Sequence, residues 1–270
     1  MTMTDAICLP LFVPGNRPDR FAKAAAAGSG MIILDLEDAV VAGAKAEARD
    51  AVVREAGAFE GTRVFVRVNG ADTPWFEDDI SAVTALAIDG IVVPKAENPE
   101  IIREIAKALG PGREIWALIE SVRGMAKVRD IAGAADRIVF GSVDFCADLG
   151  MAHEREILLP FRLELAMAAR LAGKPAPVDG VTTVFDKADL VTEDAVHARA
   201  LGYGGKLLIH PKQIEPARAG FRPTEAEVET ARRILQQAEG VGAVAVDGQM
   251  IDEPVLIRAR DVLARWEALS

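Results

Sequence analysis

The chain has 270 residues, with 31 Lys and Arg against 41 Asp and Glu, a formal net charge of −10. That balance excludes nucleic acid and anionic membrane surfaces as partners and means that an anionic ligand must be met by a local basic cluster. The length fits one α/β barrel better than two ordinary domains, and the two cysteines, Cys8 and Cys146, have neither metal spacing nor the makings of a disulfide framework, which points to a reducing cytoplasm.

The opening stretch MTMTDAICLPLFVPG has an acid at Asp5 and no basic region before its short apolar run, so a signal peptide is not expected, and no run approaches bilayer-spanning length. Pro18 to Ala27 reads as the first helix, with Pro18 just inside its start and Gly28 and Gly30 closing it. MIILDLED (Met31 to Asp38) then runs apolar into acids, and Ala44 to Ala56 has helical periodicity. The pattern continues with VFVRVN ending at Asn69, a helix from Pro74 to Leu86, IVVPK ending at Lys95, a helix from Pro99 to Leu109, and WALIE ending at Glu120. Next come a helix from Val122 to Ile131, IVFGSVD ending at Asp144, helices from Glu156 to Ala172 and Lys187 to Leu201, and an eighth candidate strand from Lys206 to Ile209, in the run LLIH that stops on His210.

Nearly continuous apolar strands are buried on both faces, so a polar residue at the downstream end of each lies where the strand leaves the core. Alternating strand and helix implies right-handed βαβ units and a parallel sheet, either open or closed. An open dinucleotide-binding sheet needs an early G-x-G-x-x-G or G-x-x-x-x-G-K-[ST], and the chain has neither, so the predicted fold is a (β/α)8 TIM barrel with its chemistry on one rim. The barrel is expected over residues 1–220. Residues 221–270 are expected to form a helical and hairpin extension packing on a neighbouring subunit, with a helix from Thr224 to Gln237, a hairpin in VAVDGQMIDEP turning at Asp247-Gly248, and a last amphipathic helix.

Glu120 and Asp144 end consecutive predicted strands. Two hard oxygen donors side by side suit Mg2+, which keeps several waters; the alternative is a pair of rim carboxylates held by Arg123 or Arg137. Arg67 sits inside an apolar run, where a guanidinium must find an anion: a substrate carboxylate, or Glu37 or Asp38 of the rim. Asp35, Glu37 and Asp38 read equally as support for a metal site or as salt-bridge formers for Arg67 and Lys95. Lys95 is either a desolvated Schiff-base nucleophile or, in so acidic a neighbourhood, a charged partner of an acid. His153, His197 and His210 share no metal spacing; His197 is expected at the surface and His210 as a structural residue near the site. Cys146 is expected to be packed and inert.

The stretches LFVPGNRPDRFAKA, ILDLEDAV with K-x-x-AR at Lys45 to Arg49, VRVNGADTPWFEDD, VVPKAE, FGSVDFCADLG, GYGGKLLIHPKQI, FRPTEAEVE and GQMIDEPV occur in one order. Together they resemble the citrate lyase β-subunit-like family of the HpcH/HpaI aldolase superfamily, whose relatives include malyl- and citramalyl-CoA lyases, over the chain from about Leu11 onward. The resemblance implies a Mg2+-dependent barrel enzyme (Mn2+ as a substitute) that cleaves or forms a carbon–carbon bond in a 3-hydroxy acyl thioester such as citryl-, malyl- or citramalyl-CoA, releasing an acyl thioester and a 2-keto acid. It further implies Glu120 and Asp144 as metal ligands, Arg67 on the keto-acid carboxylate, Lys23 on the phosphates of coenzyme A, and Asp252 as acid/base. Asp252 is expected to act in a neighbouring subunit of a homotrimer or dimer of trimers. Two departures from the family pattern stand out. Gly141-Ser142-Val143-Asp144 replaces a common G-A-E-D, and Phe12 stands where some relatives carry tyrosine. Alternatives are a coenzyme A-independent aldolase of 4-hydroxy-2-keto acids and a non-catalytic keto-acid-binding subunit.

Overall fold

The computed structural model describes residues 7–57, 59–238, 244–246 and 249–269. Strand and helix alternate as the periodicity requires: β1 (Leu11–Pro14), α1 (Phe21–Ala25), β2 (Met31–Asp35), α2 (Lys45–Glu55), β3 (Arg63–Arg67), α3 (Phe76–Thr84), β4 (Gly90–Val93) and α4 (Pro99–Leu109). The middle of the chain gives β5 (Glu114–Ile119), α5 (Val122–Ala126), α6 (Val128–Ala134), β6 (Arg137–Phe140), α7 (Ser142–Leu149), α8 (Arg155–Leu171) and β7 (Val178–Asp179). The remainder is α9 (Ala188–Ala200), β8 (Gly205–Lys206), α10 (Ile214–Phe221), α11 (Glu225–Gln237), the antiparallel pair β9 (Val244–Val246) and β10 (Gln249–Ile251), and α12 (Glu253–Ala268).

β1 to β8 form one curled parallel sheet in sequence order. Its ends also meet: Cys8 N–H donates to Gly204 O, Lys206 N–H to Cys8 O, Leu208 N–H to Pro10 O and Phe12 N–H to Leu208 O. Strands β2, β4 and β6 are buried along their whole length, which their Ile, Val and Leu content dictates. Alternate residues then face opposite sides. Ile33, Phe65, Val92, Trp116, Val139 and Leu207 share the inner face, with the Phe65 and Trp116 rings 4.6 Å apart, while Ile32, Leu34, Ile91 and Ile138 join the outer core under the helices. Two residues downstream on the inner face stand Asp35, Arg67 and Gly141. The apolar layer is therefore the floor of a polar rim.

The helices follow local signals. In α4 the Asn98 side chain accepts the Glu100 N–H, Pro99 begins the helix, Ile102, Ile105 and Leu109 are buried, and Gly110 at φ 74° ends it. No helix of the described residues is long and apolar enough to cross a membrane.

Several elements differ from the sequence expectation. β1, β7 and the helices α7 and α10 are additional. IVFGSVD is a strand only to Phe140, and Asp144 lies in the first turn of α7 rather than at a strand end. The eighth strand stops at Lys206. The single helix expected from Val122 is α5 and α6, with Lys127 between them at φ −114° and ψ 13°. The helix expected from Pro74 begins at Phe76. The predicted turn at Asp247-Gly248 lies outside the described residues, although the strands flanking it pair as expected.

Candidate active site

A cavity of about 400 Å³ opens at the downstream end of the sheet. Phe12, Leu118, Phe140, Val181, Leu207 and Ile209 supply its apolar wall; Asp35, Asp38, Glu120 and Asp144 supply acids, and Arg67 is the cation among the lining residues.

Arg67 is buried and fully engaged along one edge. Its Nε and Nη2 donate to the two oxygens of Asp35, both at 2.7 Å, across the β2–β3 register that sets these residues side by side. Nη1 lies 2.9 Å from Glu37 Oε2 and 3.6 Å from Asp38 Oδ2, and the guanidinium stands over the Phe12 ring at 4.8 Å. Burial alone would lower its pKa, but Asp35, Glu37 and Glu120 together raise it, so the group is a permanent cation. The two-bonded grip on a carboxylate that its chemistry suggests is thus made with Asp35, and the pairing with Glu37 and Asp38 weighed from sequence is also present.

Glu120 follows β5 directly and is 3% exposed. Its Oε1 accepts the Lys95 N–H at 2.8 Å; its Oε2 is buried without a hydrogen-bond partner. Desolvation first, then the Glu37 and Asp144 charges, push its pKa up to about 8 against the opposing pull of Arg67 and the Lys95 N–H. A Cβ at position 141 would lie 2.7 Å from that same Oε2, so glycine there leaves the carboxylate its room. Asp144 shares the cavity wall, exposed on the first turn of α7.

Lys95 joins these groups. Its Nζ donates to Glu37 Oε1 at 2.8 Å, and burial, which would lower its pKa, is outweighed by that bond and by the charges of Glu37, Glu120 and Asp38, which raise it. It is a charged partner of an acid and not a desolvated nucleophile. Burial likewise raises Glu37, with Arg67 and Lys95 opposing.

Other predicted site residues are elsewhere. Asp252 is exposed and caps α12, its side chain accepting the Val255 N–H at 3.4 Å; neither it nor Lys23, exposed on α1, lines the cavity among the described residues. His210 caps the turn at Pro211–Gln213 and stacks on Phe185 at 4.7 Å, a structural role as expected. His197 is half-buried on α9, with its Nε2 buried and without a hydrogen-bond partner. Cys146 is buried, and burial pushes its thiol up. Sequence reasoning missed the Ser142 hydroxyl, 2.9 Å from His153 Nε2, and Gly141; the G-S-V-D stretch was the available signal.

No group of three or more His, Cys, Asp or Glu side chains among the described residues is arranged to hold a metal. What is present is a two-carboxylate set with one unmatched, buried oxygen. Such a set fits an ion that takes hard oxygen donors and keeps water or ligand oxygens in its remaining positions.

The chain is similar to known proteins over nearly its whole length. Residues 9–211 match the family model HpcH/HpaI aldolase/citrate lyase. The citrate lyase subunit beta-like protein of Deinococcus radiodurans is 39% identical over 277 residues, covering 94% of this chain and 95% of that protein. The (3S)-malyl-CoA thioesterase of Cereibacter sphaeroides is 34% identical over 270 residues, covering 96% and 94%. Among solved structures, CitE of Mycobacterium tuberculosis in complex with magnesium, acetoacetate and coenzyme A superposes with a TM-score of 0.88 at 33% identity, covering 98% of this chain and 100% of that one.

Proposed function

The chain belongs to the HpcH/HpaI aldolase/citrate lyase family, and on that premise we propose that it is a Mg2+-dependent carbon–carbon lyase acting on a 3-hydroxy acyl thioester of coenzyme A. The observation that carries this reading is the buried, unpartnered Oε2 of Glu120 in a cavity shared with Asp144 and Arg67. Glu120 and Asp144 would hold the ion, and the relative solved with magnesium and coenzyme A supports a magnesium-dependent reading. When bound, the ion supplies a Lewis acid that eases negative charge onto the hydroxyl or keto oxygen. The chain's own residues do the rest. Arg67, kept cationic by Asp35 and Glu37, neutralises the keto-acid carboxylate, while Phe12, Leu118 and Leu207 keep water from the bond between the hydroxyl-bearing carbon and the thioester α-carbon. Lys23 is assigned to the phosphates of coenzyme A.

The sheet, whose ends meet through Cys8, Pro10 and Phe12, is read as a closed (β/α)8 barrel over residues 1–220, with residues 221–270 extending onto a neighbouring subunit of a trimer or dimer of trimers. The exposed position of Asp252, outside its own chain's cavity, favours action as acid/base in that neighbour. A panel of citryl, malyl and citramalyl thioesters with keto-acid detection tests the reaction; activity that survives exhaustive chelation refutes it. Asp252→Ala should slow turnover by about 10²- to 10⁴-fold. Refolding it together with inactive Arg67→Ala chains should restore activity if the residue acts across subunits, and hybrids as inactive as their parents would place it within its own chain or outside catalysis.

A further inference from the structure

Lys95 is the one non-glycine residue among those described with a positive φ, at 45°. An L-residue in that region carries strain that persists only where the surroundings over-determine it, and such residues collect at functional sites. At Lys95 two carboxylates supply those surroundings. The left-handed turn after IVVP directs its N–H to Glu120 Oε1 at 2.8 Å, and its Nζ reaches Glu37 Oε1 at 2.8 Å. Glu37 in turn meets Arg67 through its other oxygen at 2.9 Å. One residue after β4 therefore fixes one oxygen of each of two buried carboxylates, Glu37 beyond β2 and Glu120 after β5, and the oxygen of Glu120 that it leaves over is the one with no hydrogen-bond partner.

We propose that Lys95 is a positioning residue: its left-handed backbone locks Glu120 Oε1 with the amide and so presents Oε2 as the open metal ligand. The inference rests on the reading of Glu120 as a metal ligand given above. Glycine would adopt the same φ without strain, yet the chain carries lysine, because only a long cation also reaches Glu37. The backbone and the side chain thus do separate tasks.

The two tasks separate in a set of variants with equal charge. Lys95→Gly, Lys95→Ala and Lys95→Val all remove the ammonium, but glycine keeps the left-handed turn readily, alanine less so, and a β-branched residue resists it. Mg2+ affinity of the full chain, measured by calorimetry without substrate, should fall in the order glycine, alanine, valine, with valine about 10-fold or more below glycine, the size of effect expected when a group that orients a ligand is lost. Alanine keeps the test open if the valine chain fails to fold. Equal Mg2+ affinity in the glycine and alanine variants, both folded by circular dichroism, overturns the inference while leaving the metal site standing. Failure of the unaltered chain to bind Mg2+ overturns the metal reading, and the role of Lys95 with it.

Discussion

Two clusters of buried charge stand on opposite faces of the same sheet and are built on opposite rules. On the outer face, between the sheet and α8, Arg162 donates to both oxygens of Asp179 at 3.0 and 3.4 Å, Lys206 Nζ donates to Gly180 O at 2.6 Å, and the Tyr203 hydroxyl donates to Arg162 O at 3.0 Å. Burial lowers Lys206 and the nearby Asp179 and Asp194 charges oppose that, so cations and anions are matched, and Arg162 Nη1 is the polar atom left over. On the other side, at the cavity, Asp35 and Glu37 pair with Arg67 and Lys95 while Glu120 and Asp144 share the cavity wall, with acids in excess and Glu120 Oε2 unmatched. A matched cluster holds structure. An unmatched one at a cavity asks for a ligand of the missing sign.

The widest separation between the two should come from Glu120→Gln. It should abolish Mg2+-dependent turnover while raising the thermal midpoint of the metal-free chain at pH 8.5. The sign follows from Glu120 titrating near 8 in the folded chain against an ordinary 4.5. The folded state resists ionisation, so stability is intact below about pH 4.5, is lost as pH rises through the interval to about 8, and is regained when the ionisable group is removed. A lower midpoint in the variant would erase the distinction between the clusters.

Asp179→Asn should do the reverse. It leaves two buried cations without their shared anion, and unfolding in urea should show a loss of about 3–5 kcal/mol. Mg2+ affinity of the chain that remains folded should be unchanged; a drop would mean the two faces are coupled.

Arg67→Lys comes next, because a lysine cannot bond both oxygens of Asp35 and hold a second anion as well. Affinity for pyruvate or glyoxylate in the presence of Mg2+ should weaken by about 1.5–3 kcal/mol, the worth of a charged hydrogen bond. Parent-like affinity would remove Arg67 from the substrate.

The last effect is on pH. At the proposed site Mg2+ has to displace the proton of Glu120, so its affinity should climb with pH by up to about tenfold per unit and level off near 8. A flat profile from pH 6 to 9 would place the ion elsewhere.

The periodicity of the chain made the strands and the outer helices legible, because burial on both faces forces long runs of Ile, Val and Leu and covering helices need an apolar stripe. What stayed hidden was short or conformational. β7 is two residues of a polar-looking stretch, Val178 and Asp179, and α7 begins inside what reads as a strand because Val143 and Phe145 continue its hydrophobicity. At the site, Glu120 and Arg67 were visible as charges where apolar residues belong. The grip of Asp35 on Arg67 was not, since parity alone places Asp35 and Glu37 on the same side and does not choose between them. Nor does any residue letter announce the backbone of Lys95.

The backbone bonds that join Cys8 and Pro10 to Lys206 and Leu208 tie the two ends of the sheet together. During synthesis the first strand leaves the ribosome long before its last partner exists, and it must wait with one edge bare until residue 208 has emerged. The inner apolar layer, to which both Cys8 and Leu207 contribute, gains its last member only then. Folding intermediates of this chain should therefore be most vulnerable at the seam between the ends of the sheet.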